Sequence, residues 1–162
     1  MDDSDTEEEE DHIVTFKKID FRAANPSYSS AGAGGIDIAP IHSATICPQE
    51  AIVMDTGLAF QLPPETSGVI KARSSLAIAG MSIEGGVIDS DYRGEIKLIV
   101  RNQNKYSELA IKGGDRIAQM LIIDTPRYKI WETHQLNKTQ RGDKGFGSTG
   151  STSAFTKVIS TH

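Results

Sequence analysis

Turn signals recur about every ten residues along this chain, and only short runs of strand-forming residues lie between them. Asp55-Thr56-Gly57 and Pro63-Pro64-Glu65 separate the runs 51–55, 58–62 and 69–72, and the runs 13–19 and 44–46 have the same character. Spacing of this kind leaves no length for long helices. It directs the chain to an all-β fold: a sandwich, jelly roll or barrel. Residues 95–101 form the clearest strand, because Ile96, Leu98 and Val100 alternate with Glu95, Lys97 and Arg101, leaving Ile99 as the one apolar residue on the charged face. Residues 116–123 are nearly continuously apolar after Lys112-Gly113-Gly114-Asp115, the pattern of a buried strand entered through a turn. Helical periodicity is confined to residues 75–79, one or two turns.

A chain of 162 residues suits one domain with loose ends. The expected domain covers residues 13–136. Eight acids precede His12, so although the net charge is −5, residues 12–162 hold 14 acids against 17 bases. Residues 1–12 read as a solvated, disordered acidic arm, with docking of an unknown partner as the sharper alternative. A mildly basic body suits a small anionic substrate better than a nucleic-acid polymer, which calls for a larger basic excess. No apolar stretch reaches the length of a membrane span, the first residues lack the pattern of a secretory signal, and Cys47 has no partner for a disulfide. The expectation is a soluble intracellular protein, cytoplasmic or nuclear, without nucleic-acid or membrane partners. Residues 137–150 are polar and glycine-rich, a flexible segment, and 151–162 are a tail without clear pattern.

Five clusters place reactive side chains at glycine turns. In Ala33-Gly34-Gly35-Ile36-Asp37-Ile38, Asp37 is either a functional carboxylate or a strand cap. In Ala72-Arg73-Ser74-Ser75-Leu76, a guanidinium and two hydroxyls sit where a strand gives way to a short helix, a place suited to phosphate oxygens; Ser74 or Ser75 is equally suited to capping that helix. Residues 85–94, Gly85-Gly86-Val87-Ile88-Asp89-Ser90-Asp91-Tyr92-Arg93-Gly94, have the form of a hairpin whose glycines admit a ligand close to the backbone, with two carboxylates and a ring beside it. Ordinary turn chemistry or calcium-like ligation competes with that reading. Gln119 lies within an apolar strand, where a buried amide needs a partner, and nearby Arg116 reads as an ion-pair residue. Residues 141–150 carry Arg141, Lys144, Phe146, Gly147, Ser148 and Thr149 in a form able to fold over a polyphosphate and stack on a base. Gly145 to Gly150 also match GxGxxG, but no strand-turn-helix unit surrounds them.

In this order and spacing the clusters, spread over residues 16–150, resemble the trimeric dUTPase family, most specifically through residues 85–94 and 141–150. The sequence departs from the usual pattern at Gly34, Ile36 and Ala72, and its Arg-Gly-Asp-Lys-Gly-Phe-Gly form is similar to viral or retroelement members. The resemblance implies a β jelly-roll subunit with one short helix, and a homotrimer with active sites shared between subunits. It implies hydrolysis of dUTP to dUMP and pyrophosphate, which limits uracil in DNA and supplies dUMP for thymidylate synthesis. Asp89 would activate the water that attacks the α-phosphorus. Tyr92 would lie against the deoxyribose, and backbone groups of Gly86, Val87 and Ile88 would read the uracil edge. Arg73, Ser74, Ser75 and Gln119 would hold the phosphates. Arg141, Phe146, Gly147, Ser148 and Thr149 would close over the nucleotide from another subunit as a lid. Mg²⁺ would be bound by phosphates and water, with Asp37 reaching it through water.

Two other readings share this fold. A dCTP deaminase has a similar Arg-Ser-Ser-Leu segment, but it needs a glutamate where Ile99 stands and a Trp where Tyr92 stands. A non-catalytic interaction protein would use the acidic arm or the tail.

Overall fold

A computed structural model gives the conformation of residues 13–143. Among them are twelve strands and one helix, all strand pairings being antiparallel. The strands are β1 (Thr15–Lys18), β2 (Ser27–Tyr28), β3 (Ile36–Ile38), β4 (Ala44–Ile46), β5 (Ala51–Asp55), β6 (Leu58–Gln61) and β7 (Thr66–Ala72). Helix α1 (Ser74–Ile78) follows, then β8 (Met81–Glu84), β9 (Val87–Asp89), β10 (Lys97–Asn102), β11 (Leu109–Ile111) and β12 (Ala118–Asp124). The largest sheet runs β2-β3-β12-β7-β9; a second runs β5-β10-β8, and β1-β6 and β11-β4 form two-stranded ribbons. This is the all-β architecture that the turn spacing predicts.

The core follows from period-two alternation. In β10, Leu98 and Val100 are fully buried, whereas Ile99 is 40% exposed. Ile46 of β4, Phe60 of β6, Ile70 of β7 and Met120 of β12 join them in one apolar cluster drawn from all four sheets. Strand β12 lies between β3 and β7, which explains its nearly unbroken apolar sequence. Truncating Leu98 to Ala removes a fully enclosed side chain that neighbours cannot replace. Its expected cost is about 2–5 kcal/mol, read as a lower denaturant midpoint at fixed protein concentration.

One buried polar side chain organises the end of β10. Asn102 is inaccessible to solvent, and its amide donates to the carbonyls of Ile46 at 3.0 Å and Ser107 at 2.8 Å. Its Oδ1 accepts the backbone N–H of Asn104 at 3.0 Å, and the Asn104 amide donates to Ala79 O at 2.9 Å. This chain of bonds reaches the carboxyl end of α1. Burying the amide is tolerable because its donors and acceptor are matched.

The glycine pair before Asp89 is not a hairpin. Both residues have positive φ, +65° at Gly85 and +83° at Gly86, as a tight hairpin turn requires, yet the flanking strands do not pair with each other. β8 pairs with β10 and β9 pairs with β7, so the two glycines carry the chain from one sheet to another. The Gly86 carbonyl accepts the N–H of Ile70 at 2.8 Å, and a Cβ on Gly86 would come within 2.9 Å of Ile70 O. Long-range pairing overrides the local turn preference.

The chain forms two compact units, one ending at Arg127 and one beginning at Tyr128. Within the second, Tyr128, Ile130 and Trp131 are almost fully exposed, and Gly142 N donates to Thr139 Oγ1 at 3.1 Å. No helix among the described residues is long and apolar enough to cross a membrane. The acidic arm 1–12, the tail 151–162 and the part of the glycine-rich segment from residue 144 onward lie outside the described residues.

Candidate active site

Strand β7 delivers chemistry at both ends. At its carboxyl end, Arg73 is extended, with φ −70° and ψ 146°, and its carbonyl accepts the N–H groups of Leu76 and Ala77, each at 3.0 Å, to start α1. No side chain caps this helix, so the capping alternative for Ser74 and Ser75 does not hold, and both serines are exposed. The Arg73 guanidinium lies 3.7 Å from Asp37 Oδ1 and donates to Arg116 O at 3.3 Å. Arg116 donates to Asp37 Oδ2 at 3.2 Å. Asp37 is only 6% exposed and stands between two guanidiniums that are each partly in solvent. A carboxylate this buried requires such pairing, and in return it fixes the direction of Arg73. Its place inside β3, against an arginine from another strand entrance, also replaces the strand-cap reading.

Arg73, Ser75, Gly114 and Arg116 line a cavity of about 390 Å³. Gln119 of β12 is half-buried, opposite Asp37 of β3 on one side and Lys71 of β7 on the other. Its position depends on Gly35, where an added Cβ would lie 2.9 Å from Gln119 Oε1 and 3.0 Å from its Cβ. Sequence reasoning treats Gly35 only as turn chemistry. The contact is set by the β3–β12 pairing and has no local signal.

At the amino end of β7, Ser67 pairs with Asp89 of β9. Asp89 is exposed, and its carbonyl accepts the N–H of Tyr92 at 3.1 Å, closing a turn that presents carboxylate and ring together. Tyr92 OH donates to Glu95 O at 3.1 Å. Glu95 in turn accepts Gly57 N–H at 2.8 Å through Oε1 and pairs with Lys97 at 3.2 Å through Oε2. Lys97 also bonds Asp55, and the hydrogen bonds to Asp55 and Glu95 hold its ammonium above its ordinary range. Val87, Asp89, Tyr92 and Glu95 face a cavity of about 220 Å³. Glu95 is legible in sequence only as a charged strand residue, since Gly57 meets it through folding alone.

The two ends are far apart. Arg73 follows Ser67 by six residues along an extended strand, a separation of roughly 20 Å at about 3.3 Å per residue. Within one chain, therefore, Asp89 and Tyr92 form one group, and Asp37, Arg73, Ser75, Arg116 and Gln119 form another. Among the described residues no group of three His, Cys, Asp or Glu side chains is placed to hold a metal ion.

The dUTPase family model matches residues 22–150, which includes both groups and the glycine-rich segment. The chain belongs to the dUTPase family. It is an enzyme, a dUTP diphosphatase. A deoxyuridine 5'-triphosphate nucleotidohydrolase of Caldanaerobacter subterraneus subsp. tengcongensis is 46% identical over 130 residues, spanning 77% of this chain and 87% of the relative. One of Variola virus is 40% identical over 137 residues, spanning 85% and 92%. Among solved structures, the dUTPase of Staphylococcus bacteriophage 80alpha with dUPNHPP matches with a TM-score of 0.81 at 24% identity, covering 86% of this chain and 99% of that one. A dUTPase of phage phi11 of S. aureus, described with a structural Mg(II) ion, matches with a TM-score of 0.72 at 20% identity, covering 76% and 98%. At these identities the structural likeness is one of fold.

In this dUTPase the rival dCTP deaminase chemistry lacks its proton carrier. Ile99 of β10 is exposed beside Val53 of β5 and Glu84 of β8, and a hydrocarbon side chain there transfers no proton. Arg141 is exposed at the end of the described residues, while Phe146, Gly147, Ser148 and Thr149 lie outside them.

Proposed function

We propose that this dUTPase hydrolyses dUTP by attack of an Asp89-activated water on the α-phosphorus, releasing dUMP and pyrophosphate. The single observation that carries the reading is the turn in which Asp89 O accepts Tyr92 N–H at 3.1 Å, holding a carboxylate and an aromatic ring at one cavity. Asp89 takes a proton from water as the oxygen–phosphorus bond forms and the bond to pyrophosphate breaks. Tyr92 covers the sugar face and leaves no room for a 2′-hydroxyl, while backbone groups of Gly86, Val87 and Ile88 read uracil. Arg73, Ser74, Ser75 and Gln119 bind the phosphates, where Asp37 keeps Arg73 aimed and hydrogen bonds stabilise charge developing on the leaving group. Arg141, Phe146, Gly147, Ser148 and Thr149 close over the bound nucleotide and exclude bulk water.

Ser67, the partner of Asp89, and Arg73 are roughly 20 Å apart along β7, farther than the length of a triphosphate. That separation supports a homotrimer in which each site takes its base and ring from one subunit and its phosphate cradle from another. An apolar cross-strand pair, Val53 (61% exposed) and Ile99 (40% exposed), supplies surface for such contacts.

Mg²⁺ fits the phosphate group of residues as an ion carried by substrate oxygens and water. Asp37 is engaged by two arginines at 3.2 and 3.7 Å, which suits a water-mediated link better than direct ligation. When bound, the ion neutralises phosphate charge. The biological consequence of the reaction is less uracil in DNA and a supply of dUMP for thymidylate synthesis, in an intracellular setting. Pyrophosphate release measured separately with each nucleoside and deoxynucleoside triphosphate tests the reading. Release from dUTP far above all others is expected; ammonia from dCTP without pyrophosphate from dUTP would sink it.

A further inference from the structure

We propose that Gly94 is a specificity-determining positioning residue, required because any side chain there would drive Tyr92 out of its pose. The inference rests on the sugar-facing role proposed above for Tyr92. The Tyr92 ring folds back over the backbone two residues further on, and its hydroxyl donates to Glu95 O at 3.1 Å. A Cβ built on Gly94 would lie 2.4 Å from Tyr92 Oη, 2.5 Å from Cζ and 2.9 Å from Cε2. Two ring carbons and the hydroxyl oxygen are thus inside the distance that such contacts tolerate, and a methyl group cannot be accommodated by a small tilt.

Two further observations decide which group yields. The backbone just beyond the ring is pinned where Ile96 N donates to Leu58 O at 2.8 Å, and the Glu95 carboxylate is held in turn by Gly57 N–H at 2.8 Å. The ring itself is 44% exposed and has solvent to swing into. Tyr92 therefore moves, and little packing is lost when it does. Gly94 does not have the left-handed φ that would reserve its position for glycine on backbone grounds, whereas Gly85 and Gly86 do. The need for glycine at this position is the close approach of the ring.

The consequence is selective. Asp89 is placed by the pairing of β9 with Ser67 of β7, which does not involve the ring. Loss of the Tyr92 pose opens space at the sugar while leaving the water-activating carboxylate in place, so discrimination against UTP falls further than turnover of dUTP.

The test uses the full-length protein and pyrophosphate release from dUTP and from UTP, with Gly94→Ala, Tyr92→Ala and the double variant. Gly94→Ala is expected to lower the ratio of kcat/KM for dUTP over UTP by at least about tenfold, with a melting temperature close to the parent. Tyr92→Ala is expected to lower it comparably, and the double variant to match Tyr92→Ala, because the two residues act through one contact. An unchanged ratio in Gly94→Ala, beside a collapsed ratio in Tyr92→Ala, overturns this inference and leaves the Tyr92 role standing. An unchanged ratio in Tyr92→Ala overturns both. Should Gly94→Ala fail to fold, folding restored by Tyr92→Ala supports the steric coupling, and failure in both backgrounds overturns it.

Discussion

Asp89→Asn is expected to lower kcat for dUTP by about 10²- to 10⁴-fold, while nucleotide binding and the melting temperature stay near those of the parent. The amide has nearly the same shape as the carboxylate but cannot take a proton from water. Asp89 is exposed, and the backbone bonds of its turn, including the 3.1 Å bond to Tyr92 N–H, do not involve the side chain. Single-turnover kinetics with a nucleotide-binding measurement checks the split. A variant with parental kcat would remove Asp89 from the role of base. Biological activity that survives with turnover abolished would instead reveal a non-catalytic role beside the enzyme.

The second expected result concerns mixtures. Arg73→Ala removes a proposed donor to the phosphates and is expected to cost about 10²- to 10³-fold in kcat. If each site draws Asp89 from one subunit and Arg73 from another, dissociating and reassembling equal amounts of Asp89→Asn and Arg73→Ala chains restores activity. Random assembly leaves about one site in four with both groups intact, so the mixture is expected to recover up to roughly a quarter of parental activity. Neither variant alone recovers anything on the same treatment. No recovery, in mixtures shown to have exchanged subunits, would place both groups in one chain and contradict the separation along β7.

Much of the fold was legible because it is local. The runs 44–46 and 51–55 coincide with β4 and β5, and the alternation in β10 buries Leu98 and Val100 while exposing Ile99, as period two requires. The failures are non-local. Gly85-Gly86 carries the dihedral signature of a hairpin, yet the partners of β8 and β9 are β10 and β7, which no window around the glycines contains. The 13–19 run is trimmed to Thr15–Lys18 by the length of its partner β6, and β7 begins three residues earlier than its apolar run because β12 pairs with Thr66 and Ser67.

The site divides in the same way. Motif residues such as Arg73, Asp89 and Tyr92 stand out by type and spacing. What holds them does not: Asp37 meets Arg116 across 79 residues, Glu95 meets Gly57 across 38, and Gly35 fits Gln119 only after β3 and β12 pair. Nor does a linear reading reveal that two neighbouring motifs lie at opposite ends of one strand.

The places of β9 and β12 in their common sheet bear on how fast each part of the molecule opens. β12 has strands on both sides, and its first three residues, Ala118 to Met120, are paired with β3 and β7 at once. β9 has three residues and one partner. Its amides can exchange with solvent by local detachment, while those of β12 are released only when the whole sheet comes apart. Gln119, proposed for the phosphate side, therefore sits in the doubly paired part of the sheet, while Asp89, the proposed base, is placed by a strand held on one side only, so hydrogen exchange is expected to be faster at β9 than at Ala118 to Met120.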